Sequence, residues 1–311
     1  MLKNIMMIKF KKHVKKKIKR TTIYKNYMLW KEGKKHSENS CHLPGHFYSP
    51  IILKSEIVKY QDKIWNSSVN LNGIDLEEDN QIKLLDKFIE FYEEMPFTTS
   101  KLEGLEYYFD NGFYSYTDGI ILYSMMRYLK PKSIIEVGSG FSSALMIDVN
   151  RIFFDSKIQI NFIEPYPERL KSLISDKKRE NVHLQEMNVQ LIPLDAFKNL
   201  EQGDILFIDS SHVVKTGSDV NYIISEILPI LKDGVYIHFH DIFYPFEYPR
   251  EWVLEGRNWN EIYFLKSFLM YNKNFKIRFF SHYLHLHHKD AFLRMPLSYK
   301  NFGGNLWLEK V

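Results

Sequence analysis

The sequence of 311 residues holds one cysteine, Cys41. A lone thiol excludes an intrachain disulfide, a thiolate zinc knuckle and a redox pair, and it fits work in a reducing cytoplasm. Long apolar runs are missing too: no window approaches the roughly 18 consecutive apolar residues of a membrane-spanning helix. Internal repeats are absent, as is low-complexity sequence beyond the N-terminal lysines, which excludes solenoid and fibrous architectures. What the chain does have is 45% hydrophobic residues, enough for one sizeable core and a smaller appendage.

Acidic residues are scarce at the N-terminus. Residues 1–35 carry thirteen Lys or Arg against a single acid, Glu32, and because the whole chain has a formal charge of +4, the remaining 276 residues carry −8. The opening MLKNIMMIKFKKHVKKKIKR does not read as a secretion signal, since lysines interrupt its apolar residues and no small-residue cleavage site follows. A like-charge block repels itself and stays solvated. Ile5, Ile8, Val14 and Ile18 also fall roughly along one side of a helix, so peripheral contact with an anionic membrane is the partner to test for this arm. Nucleic acid is not expected, because Phe10 is the single aromatic residue among the lysines of 1–20, too few for the interleaving that stacking platforms require.

The turn-rich CHLPGHFYSPI (41–51) is too irregular for a helix or a central strand. A helix is expected over 80–95, where Ile82, Leu85, Phe88, Ile89 and Tyr92 share a face. Another is expected over 118–129, capped by Thr117 or Asp118 and stopped before Pro131. From there KSIIEVGSG, IQINFIEP, VHLQEMNVQ, GDILFIDSS and GVYIHFHDI read as strands with helical segments between them. Such alternation implies right-handed crossovers and a parallel sheet. After a helix in WNEIYFLKSFLMYN, FKIRFFSHYLHLH and GGNLWLEKV read as two strands, joined too closely for a helical crossover and therefore antiparallel. The expectation is a doubly wound α/β domain over 115–311, mostly parallel with a C-terminal antiparallel strand. A basic arm (1–35) and a helical extension or cap (36–114) precede it.

The stretch IIEVGSGFSSA (134–144) is a strand that turns abruptly into a helix over a small-molecule cofactor. It fails as a dinucleotide fingerprint, because Ser143 stands where the third glycine would let helix pack on strand. Glu136-Val137-Gly138-Ser139-Gly140 instead resembles motif I of the class I S-adenosylmethionine-dependent methyltransferases, an acid, one residue, then Gly-x-Gly. Glu164, closing the second strand, matches the acid that this family keeps for the ribose hydroxyls. The resemblance covers residues 115–311 and implies a Rossmann-like methyltransferase fold with S-adenosyl-L-methionine as cofactor. Glu136, Gly138, Ser139, Gly140, Ser142 and Ser143 would surround it at the first turn. Glu164, Gln190 beside Val189, and Asp209 would complete the site, with Asp195 a competitor near the adenine edge.

FIDSSH (207–212) and IHFHDI (237–242) place two acids and two imidazoles at strand ends, where an open parallel sheet gathers its ligands. Asp209, His212, His240 and Asp241 are therefore expected to converge, as they would around a divalent ion. The region from FIDSSH through EYPREW resembles a bacterial subgroup related to macrocin and rhamnosyl O-methyltransferases and to cephalosporin-hydroxylase-type proteins. That resemblance implies metal ligation by Asp209, His240 and Asp241. The imidazole at 240 departs from the family's usual second acid and widens the choice from magnesium to manganese and other transition metals. His212 is the candidate general base, with Asp209 orienting substrate or metal.

Tyr248, Trp252, Arg257 and Trp259 in the loop 244–261 are expected to wall the acceptor, since sugars stack on such faces. His285 and His287, read on one strand face, make too small a set for a second metal site and are taken as surface or satisfied histidines. The expected activity is transfer of the cofactor's methyl group to an oxygen, a hydroxyl of a sugar or glycosylated metabolite, by a cytoplasmic enzyme whose acceptor is a small molecule or glycan. Two rivals stand beside it: a cephalosporin-hydroxylase-like oxidoreductase on the same fold, and a non-catalytic binding module with a vestigial cofactor pocket.

Overall fold

The structure, a computed structural model, describes residues 26–28, 30–31, 33–34, 40–174 and 181–311. Most of the basic arm, including the face of Ile5, Ile8, Val14 and Ile18, lies outside the described residues. The chain divides into two compact units, Met1–Gln61 and Asp62–Val311. The first contains the expected irregular stretch, closed where the Gly45 amide donates to the Ile51 carbonyl at 2.8 Å, and opens helix α1 (Lys54–Ile64). The expected extension, 36–114, is thus shared between the units, and its part from Asp62 onward belongs to the unit that holds the sheet.

The second unit runs α2 (Glu78–Tyr92), α3 (Thr117–Leu129), β1 (Ser133–Val137), α4 (Phe141–Phe153), β2 (Gln159–Ile163), α5 (Glu168–Leu173) and β3 (Val182–Gln185). It continues through α6 (Asp195–Lys198), β4 (Ile205–Ile208), α7 (Asp219–Tyr222), β5 (Tyr236–Phe239), α8 (Arg250–Glu255), α9 (Glu261–Leu269), β6 (Phe275–Phe280), α10 (Ser281–His287) and β7 (Leu306–Lys310). The seven strands lie in the order β3-β2-β1-β4-β5-β7-β6, and β7 is antiparallel to both of its neighbours. The doubly wound, mostly parallel sheet with a reversed C-terminal strand is therefore the observed architecture. Its central strands are buried on both faces, as Ile205–Ile208 illustrates, so they read as continuous apolar runs rather than alternating ones.

Three local expectations change. SHYLHLH is not a continuation of a strand: β6 ends at Phe280 and α10 begins at Ser281, so His285 and His287 do not share a strand face. His285 is buried, its ring stacked at 3.7 Å on Phe292 and at 4.9 Å on Phe302. A two-residue alternation in a short histidine-rich run cannot distinguish these periods, and the aromatic surroundings decide. Next, α3 is preceded by Tyr116, and neither Thr117 nor Asp118 caps it; both side chains are drawn instead to the 298–305 segment. Finally, Val189 and Gln190 sit in a 3₁₀ turn after β3 rather than at the end of that strand.

Candidate active site

Strand register builds the site. Val137 pairs with Ile163 on one side and Ile208 on the other, and Ile208 pairs with Phe239. The residues that follow, Gly138, Glu164, Asp209 and His240, therefore emerge at one level at the carboxyl edge of the sheet, the place where α/β folds bind ligands. A cavity of about 520 Å³ is lined there by Gly138, Glu164, Gln190 and Asp209. A second, of about 950 Å³, is lined by Ser139, Gly140, Asp118, Asp209, His212, His240, Asp241 and the aromatic loop. The two share Asp209, Ser210 and Ser211.

On the first side the motif residues hold one another. Gly138 has φ 89°, and a Cβ there would stand 1.9 Å from the carbonyl oxygen of Asp209. The glycine is thus demanded by the approach of two strand ends, whatever binds above them. The Ser139 amide donates to Glu164 Oε2 at 3.0 Å, and the Tyr166 amide donates to Oε1 at 2.8 Å. Glu136 is fully buried, with Ser142 Oγ donating to Oε1 and Ser143 Oγ to Oε2, each at 2.5 Å. Burial pushes its carboxyl up to about 8 despite those two donors. Glu136 is therefore a buried clamp between β1 and the start of α4. Gln190 Nε2 donates to the Gly217 carbonyl at 2.7 Å, while its Oε1 is buried without a partner among the described residues, as is Ser210 Oγ.

On the second side, Asp209, His212, His240 and Asp241 converge as expected. His212 Nε2 stands 3.4 Å from Asp209 Oδ1 and 3.7 Å from Asp241 Oδ2, and His240 Nε2 stands 3.4 Å from Asp241 Oδ1. The arrangement is ion-paired rather than metal-like. Among the described residues no three His, Cys, Asp or Glu are grouped to hold a metal ion, and the imidazole of His212 fills the space between the two carboxylates. Burial works against charge on His212, but Asp209 and Glu261 outweigh it and raise its pKa well above the ordinary histidine value. Burial likewise opposes the charge on Asp209, yet His240 and His212 bring its pKa down to about 2.

Two site residues escape the sequence. Glu261, the first residue of α9, is buried and accepts from His212 Nδ1 at 2.8 Å. The Asn260 and Glu261 amides both donate to the His212 carbonyl, and Asn260 Oδ1 accepts from the Val214 amide at 2.6 Å, so the start of α9 clamps the whole 212–214 turn. An acid in the first turn of a helix is ordinary, which hid it. Asp118 lines the larger cavity and accepts at Oδ1 from the Gly304 amide and Asn305 Nδ2, both at 2.8 Å. Burial raises it to about 6, against the pull of His240. In the aromatic loop, Trp252, Arg257 and Trp259 line the larger cavity, with Trp259 4.5 Å from the His212 ring. Tyr248 does not: it is buried behind them, edge-on to Trp259.

Residues 135–242 match the sequence model of a family described as "Methyltransferase domain". An uncharacterized protein of Archaeoglobus fulgidus is 33% identical over 172 residues, 52% of this chain and 75% of that one. The chain belongs to the class I S-adenosylmethionine-dependent methyltransferases. Solved structures similar to it include the O-methyltransferase TomG from Streptomyces achromogenes in complex with SAM, at 11% identity over 84% of this chain and all of that one, TM-score 0.41. Another, "cmcI-N160 SAH", has 16% identity over 42% of this chain and a TM-score of 0.31; the chain spans 62% of its length.

Proposed function

We propose that the protein transfers a methyl group from S-adenosyl-L-methionine to a hydroxyl oxygen, on a sugar or glycosylated metabolite. The observation that carries this is the junction of the two cavities at Asp209–Ser211, one lined by Gly138, Glu164 and Gln190 and the other by Ser139, Gly140 and the acid–imidazole cluster. The residues fit the cofactor. Gln190 Oε1 and Ser210 Oγ are buried acceptors without partners among the described residues, and the Glu164 carboxylate retains lone pairs for hydroxyl donors beyond its bonds to Ser139 and Tyr166. When bound, the cofactor supplies an electrophilic methyl group on a sulfonium. The protein's share is to hold the acceptor oxygen in line and remove its proton, contributions worth about 7–11 kcal/mol and about 10²- to 10⁴-fold respectively.

His212 is the proposed proton acceptor, with Asp209 and Asp241 orienting the hydroxyl. Glu261 on Nδ1 fixes the tautomer whose Nε2 faces the two carboxylates. Because its pKa is raised, His212 is a base only on the alkaline side, and activity should climb with pH through a value above 6.5. A limb near 6 would transfer the role to Asp118. Asp209, His240 and Asp241 would have to hold any divalent ion; with His212 between the acids they do not fit one, and no step needs it.

Calorimetric titration with S-adenosyl-L-methionine tests the proposal. Binding that Glu164→Ala abolishes is expected. No binding would overturn it and favour the oxidoreductase, recognised by its need for a reductant and oxygen, or a binding module.

A further inference from the structure

Resting on the methyl-transfer proposal, we infer that the acceptor carries an anionic group, a carboxylate or phosphate, at the end remote from the methylated hydroxyl. The larger cavity changes character along its depth, with acids and imidazoles paired inside and arginines among its exposed lining residues. Asp118 is buried in it, and Asp209 and Asp241 keep only 33% and 16% of their side-chain surface exposed. Its exposed lining residues include two arginines, Arg169 and Arg257.

Arg257 is presented rather than spent. Its guanidinium lies 4.4 Å from the Trp252 ring centre and 5.3 Å from that of Trp259, and these rings cross at 82°. Glu255, itself exposed, engages Nε and Nη2 through one oxygen at 3.1 Å, and no partner is found at Nη1 among the described residues. Aromatic stacking of this kind fixes the plane of the fork and lowers the hydration it must shed, which suits carboxylate and phosphate recognition. Arg169 stacks 4.2 Å from the Phe113 ring and has no carboxylate partner among the described residues. A hydroxylated ring laid on Trp259 would reach the His212 cluster with one end, since the two rings are 4.5 Å apart, and Arg257 with the other. A cationic acceptor would be repelled at the mouth, and a neutral one would leave the oriented fork unused.

The test is methyl transfer from radiolabelled S-adenosyl-L-methionine to a panel of matched pairs, D-glucuronate or glucose 6-phosphate against glucose, and hydroxy acids against their amides. Label is expected in the anionic members. Arg257→Gln should raise their KM about tenfold or more, the loss of one charge-assisted contact, with cofactor affinity unchanged. Glu255→Gln, which frees the fork, should lower KM, an effect that mere damage to the loop would not produce. Equal turnover of neutral members, or indifference to both substitutions, overturns the inference. A panel without label from protein that binds cofactor normally counts against the acceptor class alone, while absence of cofactor binding overturns the methyl-transfer proposal and the acceptor class with it.

Discussion

The two halves of the carboxyl edge are assembled differently. On the side proposed for the cofactor, Glu136 is held by Ser142 and Ser143 and Ser139 by Glu164, partners 6, 7 and 25 residues apart. On the side proposed for the acceptor, His212 leans on Glu261, 49 residues away, and Asp118 on Asn305, 187 away. Glu136, Ser142 and Ser143 lie on one strand–turn–helix, while Gly138, Ser139, Glu164 and Asp209 meet at adjacent strand ends, so these residues are tied to the sheet itself and substituting them acts first on folding. A long-range cluster exists only when distant segments have docked, so its residues tune chemistry at small cost to the fold.

The sharpest way to break this contrast is Gly138→Ala. The positive φ and the Asp209 carbonyl at 1.9 Å leave no room for a Cβ. The expected cost is on the order of 3 to 5 kcal/mol, read as a lower denaturation midpoint before any assay of activity. A variant as stable as the parent would mean that the turn relaxes and that the glycine serves the cofactor instead.

Glu261→Gln should do the reverse, leaving stability and cofactor affinity largely intact while lowering turnover about 10- to 100-fold, as loss of an orienting partner does. The sign of its pH effect is fixed. Glu261 helps hold the proton on His212, so removing its charge lowers that pKa and moves the alkaline limb of the rate profile toward lower pH. An unmoved limb would deny His212 the role of base.

Legibility followed the same division. The succession of strands, the reversed last strand and the edge residues Gly138, Glu164, Asp209 and His240 are readable because apolar runs and turn residues mark strands and their ends locally, whereas the order of strands in the sheet is set by packing. Glu136 is readable as a motif residue, but its buried orientation toward α4 is not, since two serines six and seven residues on look like ordinary helix starts. Glu261 and Asp118 left no trace because each carries a common helix-terminus signal; only docking of α9 on the 212–214 turn brings Glu261 to His212, and only docking of the 301–305 segment holds Asp118 at the cavity. SHYLHLH shows the converse: side-chain alternation suggested a strand, and packing on Phe292 and Phe302 made a helix.

A smaller effect is expected from Glu136→Gln. With its native pKa at about 8 against an ordinary 4.5, folded protein binds a proton that the unfolded chain lacks between those values. Stability from this group is thus present at low pH and declines as pH rises from about 4.5 to about 8, which glutamine, always neutral, should flatten. Urea midpoints at pH 5, 7 and 9 measure it, and an unchanged slope would mean that the serines stabilise the ionised form.

The smallest expected effect is that of a chelator, which should leave both cofactor binding and turnover where they were. The reason is spatial: Asp209 and Asp241 already face one cation, the His212 imidazolium, and an ion seated between them would have to displace a ring held by Glu261 at 2.8 Å and covered by Trp259. A loss of turnover restored by magnesium or manganese alone would show that the ring moves. His212 could then no longer be the base, and Asp118, which lines the same cavity, would be the carboxyl left to take the proton.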